Sequence, residues 1–267
     1  MTSRIDPAAN FATIRDAAAA ARAGGAQMLF TPEMALLLDR DRARAAEHVM
    51  AEAQSPFVRM LRDLARQHGI FLFLGSMPVA LPGGRWANRS LMFPPGGGPP
   101  IRYDKMHMFD VNLAAGERWR ESNAYQAGDA VVVEELAPAN HPLRVGLMVC
   151  YDLRFPALFD ALGRQRCDLI AVPSAFTVPT GAAHWHVLLR ARAIEATAYV
   201  VAAAQVGEHE DGRRTYGHSL VVDPWGEVLL DLGGEGTGLG FAQIDPARIA
   251  AVRAQLPSLA NRRTIAS

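Results

Sequence analysis

Three residues of the sequence could together supply nucleophilic chemistry: a cysteine, a glutamate and a lysine, each at or shortly after the end of a predicted strand. Cys150 ends the apolar run 145–149, and a helix is predicted from about residue 155. A residue at such a strand-to-helix turn presents its side chain at a sheet edge, beside backbone N–H groups that can hold an oxyanion. Burial in a core is the alternative interpretation, because cysteines are among the most buried residues.

Glu33 follows a strand predicted over 26–30, and Lys105 follows one predicted over 101–103. Each alone is also typical of a solvated surface residue. A free thiol has a pKa of about 8.5 and is mostly protonated at neutral pH, so a cysteine nucleophile needs a base or a neighbouring cation. Glu33 could take the proton, whereas Lys105 could lower the thiol pKa and later bind the developing oxyanion.

Histidines offer two competing interpretations. The chain has eight of them, and His184, His186 or His218 could form a Cys–His dyad with the cysteine. His184 and His186 could also be two metal ligands. Positions two apart on a helix point to different faces, however, and no cluster of carboxylates or thiols is evident beside them. We therefore predict no metal site.

The elements that must position these residues alternate along the chain. Helical spacing of apolar residues predicts helices between residues 10 and 24 and over 56–68, 155–162 and 185–198. Short apolar runs predict strands over 26–30, 70–74, 90–93, 101–103, 145–149, 169–172, 199–206, 218–222 and 227–231. This alternation predicts an α/β fold with helices covering sheets. No low-complexity linker divides the chain, so we predict one domain over 1–267.

Composition narrows the class of protein. Half of the 267 residues are apolar, enough for a large core. Lys plus Arg equals Asp plus Glu, at 27 each, which argues against a nucleic-acid or membrane surface. Two cysteines cannot form a disulfide framework, and neither a secretory signal nor a stretch of about 18 apolar residues is evident. We expect a cytoplasmic protein.

Three motifs make the sequence resemble the nitrilase superfamily of carbon–nitrogen hydrolases over nearly its entire length. They stand in the family's order: FTPEM at 30–34, YDKMHMF at 103–109 and VCYDLRFP at 149–156. The resemblance implies a four-layer α-β-β-α sandwich and catalysis without a cofactor. It also implies that Glu33 is the general base and that Cys150 forms a thioester. Lys105 and the backbone N–H of Tyr151 would stabilise the tetrahedral intermediate.

The same resemblance implies further site residues. Many members use a second glutamate between the lysine and cysteine motifs, and Glu121 in the segment ERWRES at 117–122 matches it best, with Glu117 as the alternative. A surface-loop carboxylate is the competing interpretation of Glu121. Arg154, Phe176 and His184 are the residues expected to contact the substrate.

The C-terminal half resembles the amidases that hydrolyse deaminated glutathione, through stretches such as SAF at 174–176 and AAQ at 203–205. The implied reaction acts on a small-molecule amide and releases 2-oxoglutarate and cysteinylglycine. An ω-amidase of 2-oxo acids and an N-carbamoyl hydrolase are alternatives on the same fold. A non-catalytic interaction protein is the alternative from another class, although it would have no need for all three catalytic residues.

Three expectations concern departures from relatives and assembly. His186 stands where relatives commonly place a glutamate, which is expected to alter the charge near the pocket and hence the substrate. Residues 1–7 correspond to the segment after the opening strand of relatives, so we expect the fold to lack that strand and the start to be internal to a longer reading frame. Relatives associate through helical faces, which leads us to expect a homodimer.

Overall fold

Two β-sheets stack face to face, and helices cover the outer face of each. The computed structural model describes residues 1–113, 118–138 and 141–263. One apolar cluster joins Phe73 and Met92 of the first sheet to Val145 and Val200 of the second. A separate cluster joins the other face of the first sheet to the first and third helices. This is the four-layer α-β-β-α sandwich of the nitrilase type that the sequence predicts, and the fold class is confirmed.

Six α-helices occur in the described residues. They are α1 (Pro7–Ala23), α2 (Arg42–Ala46), α3 (Pro56–His68), α4 (Pro156–Arg164), α5 (Val178–Ala196) and α6 (Pro246–Gln255). Helix α1 begins at Pro7 because the Asp6 side chain accepts the Ala8 N–H and proline has no N–H to satisfy at the first helical position. Within the described residues, no helix is both long and apolar enough to cross a membrane.

The first sheet has the order β1-β2-β3-β4. Its strands are β1 (Met28–Phe30), β2 (Phe71–Ala80), β3 (Trp86–Phe93) and β4 (Ile101–Asp104). β1 pairs parallel with β2, and the other neighbours are antiparallel. Leu72 and Leu74 of β2 face Leu61 of α3 in one apolar cluster, where each fully buried leucine contributes about 2 kcal/mol of hydrophobic stabilisation.

The second sheet has the order β14-β13-β10-β9-β8-β7. Its strands are β7 (Val132–Leu136), β8 (Leu143–Leu147), β9 (Leu169–Ala171), β10 (Tyr199–Ala202), β13 (Leu220–Val222) and β14 (Val228–Asp231). The central strands β8, β9 and β10 are parallel, and the strands at both edges are antiparallel. Two small hairpins lie apart from the sheets: β5 (Asp110–Asn112) with β6 (Arg118–Arg120), and β11 (Val206–Glu208) with β12 (Arg214–Tyr216).

Helix α5 begins seven residues earlier than its apolar stripe predicts. Pro179 is accommodated in its first turn, and Gly181 suits the next because a Cβ there would lie 2.2 Å from the Tyr216 ring. Strand β7, helices α2 and α6 and both hairpins were not predicted. The hairpin strands are three residues long, too short to show a recognisable apolar alternation, as in Arg-Trp-Arg of β6.

Candidate active site

Cys150 lies in the turn that joins β8 to α4. The strand ends at Leu147, slightly before the predicted end, and Cys150 opens a 3₁₀ turn that runs to Arg154. Its φ is 50°, in the left-handed region, which costs a non-glycine residue about 1 to 2 kcal/mol. The Cys150 N–H donates to the Pro173 carbonyl at 2.9 Å, which anchors this conformation to the loop after β9.

Glu33 lies just after β1 and is 5% exposed. Met34, the next residue, also has a left-handed φ of 54°, and its N–H donates to Ser76 Oγ at 2.9 Å. The Glu33 carbonyl accepts from Gln205 Nε2. Gly75 is required beside this turn, because a Cβ there would lie 2.1 Å from the Thr31 carbonyl oxygen. The turn therefore holds the Glu33 carboxylate between the sheets.

Lys105 follows β4 and is 2% exposed. Its Nζ donates to Glu33 Oε1 at 2.9 Å and to Glu121 Oε2 at 2.8 Å. Burial acts to lower the pKa of Lys105, but the charges of Glu121 and Glu33 outweigh it and hold that pKa well above its usual value. An ammonium has three donors, so one N–H remains for another acceptor.

Glu121 begins a short 3₁₀ turn after β6 and is the second glutamate of the cluster. The Phe109 N–H donates to its Oε2 at 2.7 Å. Asn88, a fully buried residue of β3, donates through Nδ2 to both Glu33 Oε1 and Glu121 Oε1 at 2.9 Å. Asn88 was missed from the sequence, although a polar residue within an apolar strand was an available signal. The alternative, Glu117, lies outside the described residues.

Neighbouring groups act in opposite directions on the pKa of the Cys150 thiol. Burial, followed by the charge of Glu33 and its hydrogen bonding, raises the thiol pKa well above its usual value. The charge of Lys105 acts to lower the thiol pKa, as expected, but burial and Glu33 outweigh it. A thiol in this state needs a base at the moment of attack, and a carboxylate is beside it.

Asp152 connects the lysine and cysteine loops. It is fully buried, and its Oδ2 accepts from Tyr103 Oη at 2.6 Å and from the Val149 N–H at 3.0 Å. Its Oδ1 accepts the His107 N–H at 3.0 Å and lies 2.7 Å from His107 Nδ1. One carboxylate thus fixes the loop after β4 against the loop after β8, and this role was not predicted.

A cavity of about 890 Å³ opens over these groups. Glu33, Lys105, Glu121 and Cys150 all line it, and so do three of the four residues expected to contact substrate or oxyanion: Tyr151, Arg154 and Phe176. The Arg154 guanidinium lies over the Tyr151 and Phe176 rings, 5.8 Å and 5.3 Å from their centroids. His184 is not a lining residue, and its Nδ1 lies 3.2 Å from Arg154 Nη1. Through this contact His184 could influence the position of Arg154.

His186 also lies outside the cavity lining, so the structure does not support its expected effect on pocket charge. Its Nε2 is 3.0 Å from Asp231 Oδ2, and His218 Nδ1 is 3.0 Å from Asp231 Oδ1. His184 and His186 do point in different directions, as helical spacing predicts. A carboxylate does accompany the histidines, however, and among the described residues His186, His218 and Asp231 are one group whose positions could suit a metal ion.

Comparison with known proteins identifies the family. The sequence profile of carbon-nitrogen hydrolases matches residues 1–254. The chain belongs to the carbon-nitrogen hydrolase family. It is therefore a hydrolase that acts on carbon–nitrogen bonds other than peptide bonds.

The relatives of this carbon-nitrogen hydrolase include amidases. The chain is 41% identical to the deaminated glutathione amidase of Yersinia enterocolitica, over 91% of this chain and 84% of that protein. The crystal structure of the Caenorhabditis elegans NitFhit protein aligns with a TM-score of 0.87 at 35% identity, over 98% of this chain and 63% of that one. The chain thus spans less than two thirds of the worm protein.

A third relative of this hydrolase has a modified cysteine. A mutant amidase from Nesterenkonia sp. AN1 shows covalent addition of the acetamide moiety of fluoroacetamide at its active-site cysteine. It is 28% identical to this chain, with a TM-score of 0.74, over 88% of this chain and 84% of that one.

Proposed function

We propose that this protein hydrolyses deaminated glutathione to 2-oxoglutarate and cysteinylglycine, with Cys150 as the nucleophile. One observation carries the proposal: Cys150, Glu33, Lys105 and Glu121 converge at the buried end of one cavity. The Yersinia relative, named a deaminated glutathione amidase, supports the choice of substrate.

In the first step, Glu33 takes the proton of the Cys150 thiol as the sulfur attacks the amide carbonyl carbon. The carbonyl oxygen becomes an oxyanion, which accepts from the remaining N–H of Lys105 Nζ and from the backbone N–H of Tyr151. Glu33 returns the proton to the amine nitrogen, the C–N bond breaks, and cysteinylglycine leaves. The 2-oxoglutaryl group remains on Cys150 as a thioester.

In the second step, Glu33 takes a proton from water, and the resulting hydroxide attacks the thioester carbonyl. The C–S bond breaks, the sulfur regains a proton from Glu33, and 2-oxoglutarate leaves. Glu121 and Asn88 act as positioning residues in both steps, because they hold the Lys105 ammonium and the Glu33 carboxylate in place. The cycle consumes only water and requires no cofactor.

Arg154 provides the recognition of the acyl portion. It is four residues after Cys150, lines the same cavity and forms no ion pair with any described carboxylate. Its guanidinium could therefore bind the 2-oxo-acid carboxylate through two parallel hydrogen bonds. Phe176 and Tyr151 flank that guanidinium and limit its motion.

The substrate test compares kcat/KM of the purified protein for deaminated glutathione, 2-oxoglutaramate and an N-carbamoyl amino acid. We expect deaminated glutathione to be the best substrate. Mass spectrometry of a quenched reaction should find a 2-oxoglutaryl adduct on Cys150 that is absent from Cys150→Ala. A preference for 2-oxoglutaramate would establish an ω-amidase instead, and an inactive but folded protein would favour an interaction protein.

We also propose that the chain is a single domain, a homodimer and cytoplasmic. The apolar cluster shared by both sheets supports the single domain.

An exposed apolar surface on one side of α5 supports the homodimer. Its residues Val187, Ile194 and Trp225 are 69%, 41% and 46% exposed. Gly226 lies close to Ile194, because a Cβ on this glycine would contact the Ile194 side chain. Sedimentation velocity tests the dimer, and Ile194→Glu should shift the protein to monomer.

The cysteines support the cytoplasmic location. Both are free thiols, which suits a reducing compartment.

A further inference from the structure

The solvent-facing part of the cavity is lined by arginines. Six of them surround it, and we call them the arginine rim: Arg40, Arg42, Arg118, Arg120, Arg213 and Arg214. They come from the loop before α2 and the first residue of that helix, from β6, and from the β11–β12 hairpin. Five are exposed and Arg213 is half-buried, in contrast to the buried groups around Cys150.

Carboxylates of the protein neutralise only part of this rim, with Asp110 opposite Arg120 in the β5–β6 ladder. Asp39, a carboxylate that lines the cavity, is bound by Arg44 at 2.6 Å and 2.8 Å. Arg213 pairs with Asp211. In the part of the chain that the structure describes, Arg40, Arg118 and Arg214 take part in no ion pair. These three guanidinium groups retain donors for an outside acceptor.

Several rim arginines also contact aromatic rings or uncharged oxygen atoms. Arg40 and Arg213 lie over the Trp119 ring, 6.0 Å and 5.2 Å from its centroid. Such cation–π contacts orient a guanidinium while its N–H groups stay available. Arg120 donates to the Val111 carbonyl and to Asn112 Oδ1. The rim is therefore a partly organised cationic surface rather than a set of freely moving side chains.

The two ends of the cavity differ in charge. At the inner end, the carboxylates of Glu33 and Glu121 are balanced by the Lys105 ammonium and the Arg154 guanidinium. At the outer end, the arginines dominate. An extended substrate with a carboxylate at the end that faces solvent fits this distribution, because planar guanidinium groups bind carboxylates through paired hydrogen bonds.

We propose that the arginine rim binds a carboxylate on the amine portion of the substrate, the part that leaves when the thioester forms. This inference rests on the proposed function and deepens it. The substrate class is then amides of amino acids or short peptides that end in a free carboxylate, with the acyl portion bound near Arg154. A simple primary amide such as 2-oxoglutaramate releases only ammonia and has nothing to place on the rim.

The test uses three substrates: deaminated glutathione, the same molecule with its terminal carboxylate converted to a carboxamide, and 2-oxoglutaramate. The variants are Arg118→Gln, Arg214→Gln and their combination, with Arg59→Gln as the matched control because Arg59 is exposed on α3 and does not line the cavity. We expect the double variant to lose about tenfold or more in kcat/KM for deaminated glutathione, chiefly through KM.

The other substrates decide the interpretation. The wild type should cut the carboxamide about tenfold less efficiently than the acid, and the double variant should show no further loss on it. The double variant should also show no loss of kcat/KM with 2-oxoglutaramate. Equal losses on all three substrates, or no loss on deaminated glutathione, would overturn the rim proposal while leaving the amidase intact. A wild type that prefers 2-oxoglutaramate would overturn both proposals.

Discussion

Cys150 and Cys167 are 7% and 0% exposed, and both have raised thiol pKa values. Burial is the main cause at each site, followed by a carboxylate: Glu33 for Cys150, and Asp168 for Cys167, whose pKa is raised to about 12. Neither burial nor thiol acidity therefore separates the proposed nucleophile from the inert cysteine.

Access and geometry separate them. Cys150 lines the cavity and has Lys105 close enough to oppose the rise in its pKa. Cys167 lies in the loop before β9, packed behind β8, where a Cβ on Gly146 would lie 3.1 Å from its Sγ. Its carbonyl and the neighbouring Asp168 are held by Arg253. We propose that a base and a cation facing the thiol from an open cavity make Cys150 the reactive cysteine.

Replacement of each cysteine in turn should give the largest difference in kcat. We expect Cys150→Ala to lower kcat by about 10⁴-fold or more, because no other group can form the acyl intermediate. Cys167→Ala should keep kcat within about twofold and cost about 1 kcal/mol of unfolding free energy through lost packing. Steady-state kinetics and urea unfolding measure both, and comparable kcat losses in the two variants would remove the distinction.

Removal of the base should have the next largest effect. Glu33→Gln keeps an oxygen that can accept from Lys105 and Asn88, but an amide cannot take the thiol proton. We expect kcat to fall by about 10²- to 10⁴-fold, with unfolding free energy changed much less. Retained turnover in Glu33→Gln would show that Cys150 reacts as a preformed thiolate. Glu47→Gln, at an exposed position outside the cavity lining, is the matched control.

Alkylation compares the two thiols directly. Iodoacetamide should modify Cys150 in the native protein at least about tenfold faster than Cys167, because Cys167 becomes accessible only when its surroundings open. Peptide mass spectrometry against time gives both rates, and the ratio should approach one in denaturant. Native rates that are equal would mean that the cavity gives Cys150 no advantage.

The positioning residue Glu121 should have a smaller effect than Glu33. We expect Glu121→Gln to lower kcat by about tenfold, since Lys105 loses one charged partner while Glu33 remains. The expected signature is a shift of the alkaline limb of the kcat–pH profile to lower pH, because the charge of Glu121 helps to raise the pKa of Lys105. A loss in kcat with an unmoved alkaline limb would point to a structural role alone.

The smallest expected effect concerns stability at high pH. The folded-state pKa of Cys167 is raised to about 12, so the thiol ionises in the unfolded chain first, and its contribution to stability is lost as pH rises from about 8.5 towards 12. We expect this ionisation to lower the free energy of unfolding by about 1 to 2 kcal/mol between pH 7.5 and 10. In a Cys150→Ala background, Cys167→Ala should remove that pH dependence. A free energy of unfolding that depends on pH in the same way with and without Cys167 would contradict this prediction.

Local pattern accounts for much of what could be predicted. Helix α3 was placed correctly from Ser55-Pro56 and His68-Gly69, and Glu33, Lys105 and Cys150 were placed after strands that the structure contains. That these three side chains meet was suggested by chemical need and by resemblance, because their contacts join two different sheets. Spacing along the chain carries no information about which sheet edges face each other.

Non-local partners explain the rest. Asn88 contacts two glutamates that lie in different loops, and Asp231 meets His186 and His218 from another strand. The arginine rim is assembled from three separated segments, each of which looks like an ordinary exposed loop or hairpin in the sequence. Such groupings follow from tertiary structure and could not be predicted from periodicity.

The Asp152 carboxylate, which fixes the lysine loop to the cysteine loop, has a consequence for folding. Glu33 and Lys105 follow strands of one sheet and Cys150 follows a strand of the other, so neither sheet alone contains a working site. The sandwich must close before Asp152 can accept from both loops. Recovery of catalysis during refolding should therefore lag behind the return of secondary structure and mark the docking of the sheets.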